Sequence, residues 1–235
     1  MKRVERHHLK TNEFANLVSR TSEGMRTHSR GVGMAAVLIL VALTLVGGYF
    51  FWRGNREEKA GALLAEAMAT AQAPVAPPAI GTPAIAGTFT TEQARTEAAL
   101  PKFLAAADAY PTTDAGIEAR YQAAATLAQT GRYPEAIQRY QEVIDRDRKG
   151  IHGQTARLGL AAAASLGGEH DRAIEQLQAM SGETTGQIPV DAVLAQLAHA
   201  YERAGKTAEA AATWTRIKDE FPGSVYAQEA TQKAG

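Results

Sequence analysis

Four alanines stand 37 residues apart in this chain: Ala99, Ala136, Ala173 and Ala210. Four residues past each comes a large apolar residue, Phe103, Tyr140, Leu177 and Trp214, and three further on Ala106, Val143, Met180 and Ile217. Self-similarity at a fixed period of this size is the mark of stacked supersecondary units, each too small to bury its apolar face alone. Such arrays present an extended surface to other proteins. The pattern therefore turns the question from which reaction to which partner.

The small residues have a mechanical purpose. Two antiparallel helices approach closely only where the side chains at the crossing are small. Ala124, Ala161 and Ala198 precede Ala136, Ala173 and Ala210 by twelve residues each, which reads as facing contact points on paired helices. Glycine recurs between the paired helices at Gly131, Gly168 and Gly205, a favoured residue for the left-handed turn after a helix. The helices expected are about 117–130 and 134–148, 154–166 and 171–180, and 190–204 and 208–220. A helix over 91–109 carries the second-helix pattern without a first helix before it. Residues 56–72 are the candidate for that missing partner, by folding back. Val225–Lys233 reads as a capping helix, which such arrays need at an end.

Residues Gly31 to Trp52 run 22 positions without a charge. At a helical rise that is about 33 Å, matching a hydrocarbon core of about 30 Å. Tyr49, Phe50, Phe51 and Trp52 close the stretch with aromatic rings suited to the water–lipid boundary. A cleaved signal peptide, leaving a soluble secreted protein, is the rival. It would need an unusually long charged start and an apolar stretch beyond the usual 7–15 residues. Seven Lys or Arg lie in residues 1–30 against three Glu, while Arg53, Arg56 and Lys59 follow the stretch. This excess predicts a cytoplasmic N-terminus and an extracytoplasmic array, in an inner membrane with the array in the periplasm. Leu9, Phe14, Leu17 and Val18 also allow a basic amphipathic helix in the tail, although charge alone explains the orientation.

The organisation expected is thus a basic cytoplasmic tail over 1–30, a membrane helix over 31–52, a helical extension and Pro-rich linker over 53–90, and a repeat domain over 91–235. Its units run about 91–112, 117–149, 154–186 and 191–223, with a cap over 224–235. Pro74, Pro77, Pro78 and Pro83 make the linker a spacer or a docking peptide.

The spacing of small residue, glycine turn, alanine, aromatic and proline resembles the tetratricopeptide repeat. The third complete unit is clearest, with Leu194, Leu197, Ala198, Tyr201, Gly205, Ala210, Trp214 and Pro222 in the pattern's places. The 117–148 unit follows with Ala124, Gly131, Tyr133, Ala136 and Tyr140. The middle unit is the weaker one, with Ala164 where Tyr is common. The period of 37 exceeds the usual 34, which calls for longer joints. The fold class read from this is all-α: one transmembrane helix, then an α-solenoid of tetratricopeptide-like hairpins. The whole architecture resembles the YfgM-like ancillary subunits of the SecYEG translocon. That resemblance implies a periplasmic scaffold that contacts translocon subunits, emerging proteins or periplasmic chaperones. Organisation of an envelope or division complex is the alternative.

No residue pattern calls for catalysis. None of His7, His8, His28, His152, His170 and His199 has a ligand spacing with an acidic partner, and Gly31-Val32-Gly33 lacks the context of a phosphate loop. The run from Asp145 to Lys149 reads as a solvated helix end. A net charge of zero argues against binding driven by phosphate neutralisation, and no cysteine is present for thiol chemistry. The expectation is a non-enzyme without cofactor, metal, small-molecule substrate or nucleic acid, holding proteins on its array and the bilayer through 31–52. The candidate contact residues, on the first helices, are Arg120, Tyr121, Gln129, Arg157, Gln196 and Tyr201.

Overall fold

The computed structural model describes residues 29–76, 86–183 and 187–234. The basic tail, with its possible amphipathic helix and His7, His8 and His28, and residues 77–85 of the linker lie outside them. The chain divides into two compact units, Met1–Asn55 and Arg56–Gly235. Among the described residues the regular structure is helical, with one isolated bridge between Val75 and Phe89.

Helix α1 runs Ser29–Ala71. Its first part, within the N-terminal unit, leaves its large apolar side chains, from Met34 to Trp52, at least half exposed. Length and a mean hydropathy of 2.4 make it a candidate membrane span. The hydroxyl of Thr44, which water would otherwise solvate, donates to the Leu40 carbonyl at 2.8 Å. In lipid such a group must find its partner inside the helix. Tyr49 packs edge-on against Phe50, with ring centroids 5.8 Å apart.

In the second unit α1 is followed by α2 (Glu92–Ala109), α3 (Asp114–Gln129), α4 (Tyr133–Arg146), α5 (Ile151–Leu166), α6 (His170–Ser181), α7 (Val190–Arg203), α8 (Thr207–Glu220) and α9 (Ala227–Lys233). The twelve repeated positions, from Ala99 to Ile217, are all at most 4% exposed. Ala124, Ala161 and Ala198 are completely buried. The glycines between paired helices have φ of 75° at Gly131, 90° at Gly168 and 72° at Gly205, a region costly for any residue with a Cβ.

The missing first helix is the end of α1. Ala60 and Ala67 are fully buried, and Leu64 and Met68 pack against the same core as Phe103. The Glu66 carboxylate meets Lys102 of α2 at 2.7 Å. The compact unit therefore opens at Arg56, inside the stretch expected to be extension and linker. The described ends of the linker are tied by the Ala76 amide to the Phe89 carbonyl at 2.9 Å and the Phe89 amide to the Pro74 carbonyl at 3.0 Å.

The joints between hairpins are tighter than the 37-residue period suggests. A Cβ on Gly116 would overlap the Tyr110 carbonyl oxygen, and one on Gly153 the Asp147 carbonyl oxygen. The two pairs stand one period apart, so the starts of α3 and α5 are each pressed onto the end of the hairpin before; at the third joint the corresponding residue is Val190. The exposed amides there are capped by side chains. Thr113 accepts from Gly116 at 3.0 Å, and Glu57 accepts from Asp114 and Ala115 at 3.0 and 2.8 Å. Asp147 accepts from His152 at 3.1 Å and Gly153 at 3.3 Å. The run from Asp145 to Lys149 is thus more than a solvated end, because Asp147 serves the first turn of α5.

Candidate protein-binding surface

Which helices touch decides which face is inner. The first helix of each complete hairpin touches the next one, α3 with α5 and α5 with α7, whereas α4, α6 and α8 make no such contact with one another. Each second helix instead sits against the following first helix, as α4 does on α5. The first helices therefore form a continuous inner ladder. Two side-chain contacts cross its rungs: Nδ1 of His152 lies 3.0 Å from Glu118, and Arg203 donates to the Ser165 hydroxyl at 3.4 Å.

The six residues expected on this face divide by burial. Tyr121, Arg157 and Gln196 are half-buried and Gln129 is exposed, but Arg120 and Tyr201 are buried. At 2% exposure Arg120 is beyond the reach of a partner. Its Nη2 donates to the Ala107 carbonyl at 3.0 Å and to Asp108 at 3.1 Å. Its Nε lies 2.9 Å from Glu142, a pairing by charge without hydrogen-bond alignment. Nη1 has no hydrogen-bond partner among the described residues. Arg139 stands beside the same two carboxylates, 3.5 Å from Asp108 and 3.2 Å from Glu142. Two guanidiniums and two carboxylates thus join α2, α3 and α4. Arg120 ties hairpins together rather than receiving a ligand.

Arg157, one period later, is also engaged. It holds the Glu183 carboxylate through both terminal nitrogens, at 3.0 and 2.7 Å, and hydrogen bonding from the guanidinium keeps that carboxyl below its usual range. Tyr201 accepts a hydrogen bond from Gln178 at 2.7 Å, joining α7 to α6. Gln129 borders an open groove of about 770 Å³ between the start of α2, with Glu92, Glu97 and Leu100, and the end of α3, with Thr130 and Arg132.

Tyr121 is the aromatic group left on the inner ladder. Its ring meets Tyr140 edge-on at 5.7 Å, and burial, with the charge of Glu118 adding to it, raises its hydroxyl above the ordinary tyrosine value. Tyr140 is raised further by its deeper burial. Its ring fills the space over Gly159 of α5, where a Cβ would come within 2.5 Å of it. Helix α4 is therefore seated on α5 by one large ring over one missing side chain.

At the far end the cap is latched by charge. Glu202 accepts from Trp214 at 2.8 Å and from Lys233 at 2.9 Å, and lies 3.3 Å from His199. Burial alone would raise the Glu202 carboxyl, but hydrogen bonds from Lys233, Trp214 and His199 outweigh it and hold the pKa below the usual range. The other ring nitrogen of His199 lies 3.5 Å from Glu229. His152 and His199 thus bind neighbouring elements together.

Among known proteins, no curated sequence matches this chain. Residues 118–149 and 193–224 match the family model described as the tetratricopeptide repeat. The first segment takes in most of α3 and all of α4, and the second most of α7 and all of α8. The hairpins that match and the hairpin of α5 and α6 between them stack alike, so the described array is an α-solenoid built of tetratricopeptide-like repeats.

Proposed function

We propose that this protein is a membrane-anchored scaffold that holds other proteins on the inner ladder of its helical array. The observation that carries the reading is the uninterrupted row of first helices, α3, α5 and α7, in a chain with two tetratricopeptide matches. Such repeats serve protein–protein interaction, and rows of like helices give the extended surface that this needs. The reading rests on the repeats and their stacking, and no chemical step is part of it.

Residues 31–52 of α1 are the proposed anchor, supported by their exposure, their hydropathy and the internally satisfied Thr44. The charge excess before the span favours a cytoplasmic N-terminus and an array outside the cytoplasm. Architecture alone supports the finer reading, an ancillary role beside the protein translocon or periplasmic chaperones. The contact positions proposed are Tyr121, Gln129 and Gln196, with Arg157 at the margin through its bond to Glu183. Crosslinking in membranes followed by recovery of the full chain tests the scaffold reading. A specific protein set, absent from a control carrying residues 1–55 alone, is expected. Recovery of nothing above that control would end it. Resistance of the chain to carbonate extraction tests the anchor separately.

A further inference from the structure

At their glycine-turn ends the successive joints repeat in place but not in filling. One period separates Thr96, Tyr133 and His170, on α2, α4 and α6, and one period separates Thr130, Gly167 and Ala204, just past the ends of α3, α5 and α7. Between α4 and α5 the Tyr133 side chain fills the space: a Cβ on Gly167 would come within 3.0 Å of the Tyr133 Cβ and 3.6 Å of its ring. At the joint of α6 with α7, His170 is half-buried with Nδ1 shielded from solvent, and Lys206 reaches across to Asp171 at 2.9 Å. Each of these joints thus carries a ring, and the later one adds a base against a carboxylate.

Between α2 and α3 neither is supplied. Thr96 stands in the ring's place and Thr130 opposite it, and both line the open groove of about 770 Å³. Leu100, a core residue, gives the groove an apolar lining. Helix α2 starts one turn earlier in the period than α4 does, and that extra turn puts Glu92 and Gln93 on the groove. Glu97 holds the position of Asp171, and Arg132 that of Lys206. Arg132 turns away to Glu135, with its Nε at 2.7 Å from the carboxylate. Glu97 accepts from the Gln93 amide at 2.8 Å and meets no base among the described residues. Glu92 lies 3.3 Å from Arg95.

We propose that this groove takes an aromatic side chain next to a lysine or arginine, presented by an exposed segment of a partner protein. The ring takes the place that Tyr133 fills one joint later, and the base meets Glu97 as Lys206 meets Asp171. A ring buried in a preformed groove supplies most of the affinity, and the carboxylate left without a base selects the charge beside it. The inference deepens the scaffold reading, because Gln129 borders the groove, and rests on it only in taking a protein segment as the occupant.

The probe is a glycine–lysine–tyrosine–lysine–glycine peptide blocked at both ends, titrated by calorimetry into the full chain in detergent. Saturable binding is expected. It should weaken about tenfold when the peptide's tyrosine is replaced by alanine, or when Thr96→Tyr fills the groove from within. Glu97→Gln should weaken it severalfold. Thr96→Tyr should melt no lower than the parent. Should it fail to fold, Glu97→Gln, at an exposed position, carries the test alone. No binding by the parent, equal binding of the tyrosine and alanine peptides, or binding that neither variant weakens would each overturn the inference. A photo-crosslinking residue at Gln93 that captures residues 77–85 of its own chain would give the groove to the linker, and one that captures a second copy would give it to self-association; either result equally overturns it. The ladder reading is tested apart from this, by adducts from position 121. Their absence, with the peptide bound as expected, would bring down that reading and spare this one.

Discussion

Replacing Gly153 by alanine should destabilise the protein, against the usual sense of that change. Gly153 lies in the first turns of α5, where alanine is ordinarily better than glycine by about 1 kcal/mol. Here the new Cβ would overlap the Asp147 carbonyl oxygen, and it would lie 2.7 Å from that carbonyl carbon and 3.3 Å from the Arg148 nitrogen. These are backbone atoms, so no rotamer change relieves them. Bringing that oxygen to an ordinary contact of about 3.5 Å requires the joint to open by well over an ångström. Asp147 would also lose its alignment with the amides it caps. Forcing a methyl into a packed site costs about 1–3 kcal/mol, and losing a cap about 1 kcal/mol. After the helix gain is subtracted, the net loss is about 1–3 kcal/mol. At roughly 2–4 °C per kcal/mol for a unit of this size, the Tm falls by about 2–12 °C. The internal control is Gly61→Ala in α1, where a Cβ meets nothing within 4 Å. That variant should gain about 1 kcal/mol and melt higher. Circular dichroism of both full-length variants in one detergent makes the comparison. A Gly153→Ala protein as stable as the parent would refute the account of the joints.

Other consequences are independent of that joint. Ala173→Leu, at a completely buried helix crossing, should cost about 1–3 kcal/mol by overpacking, read in the same melting experiment. Arg120→Gln should lower stability by about 1–3 kcal/mol by emptying a buried hydrogen-bonded position, yet leave the set of recovered partners unchanged; loss of partners at unchanged stability would restore Arg120 to the contact face. The latch on α9 should depend on pH. Folding depresses the Glu202 pKa, so its stabilisation is present above the unfolded carboxylate value and is lost as pH falls through the folded one. Folding raises Lys233, chiefly through its hydrogen bond to Glu202, so that contribution is present below the unfolded lysine value and is lost at strongly alkaline pH. Amide exchange in residues 227–233, corrected for intrinsic rate, should therefore quicken in acid before α4 and α5 respond. Exchange that quickens uniformly along the array would contradict the latch.

Much of the fold was legible because one physical requirement recurs. Close crossing of paired helices demands alanine at 99, 136, 173 and 210, and the turns between them demand glycine at 131, 168 and 205. A requirement met at a fixed interval is visible in one sequence. What was not legible depended on partners distant in the chain. Residues 56–72 could be named as the missing partner of α2 only because the array needed one; that Ala60 and Ala67 make the contact shows once α2 covers them. Arg120 has the look of a surface arginine because its carboxylates, Asp108 and Glu142, lie on two other helices. Gly116 and Gly153 sit in helices, where glycine is unfavourable, and that local conflict was the available signal of the tight joints. The first helices could be chosen as the contact face, but which of their residues are open to a partner could not, since that follows from which helices touch, and α3 touches α5 while α4 does not touch α6.

The central claim is that proteins bind to the inner ladder of first helices. A photo-crosslinking residue placed at Tyr121, on that ladder, or at Gln138, exposed on the second helix α4, tests it in intact membranes. The account predicts discrete protein adducts from position 121 and none, or far fewer, from position 138. Equal adducts from both positions, or adducts from 138 alone, would contradict it.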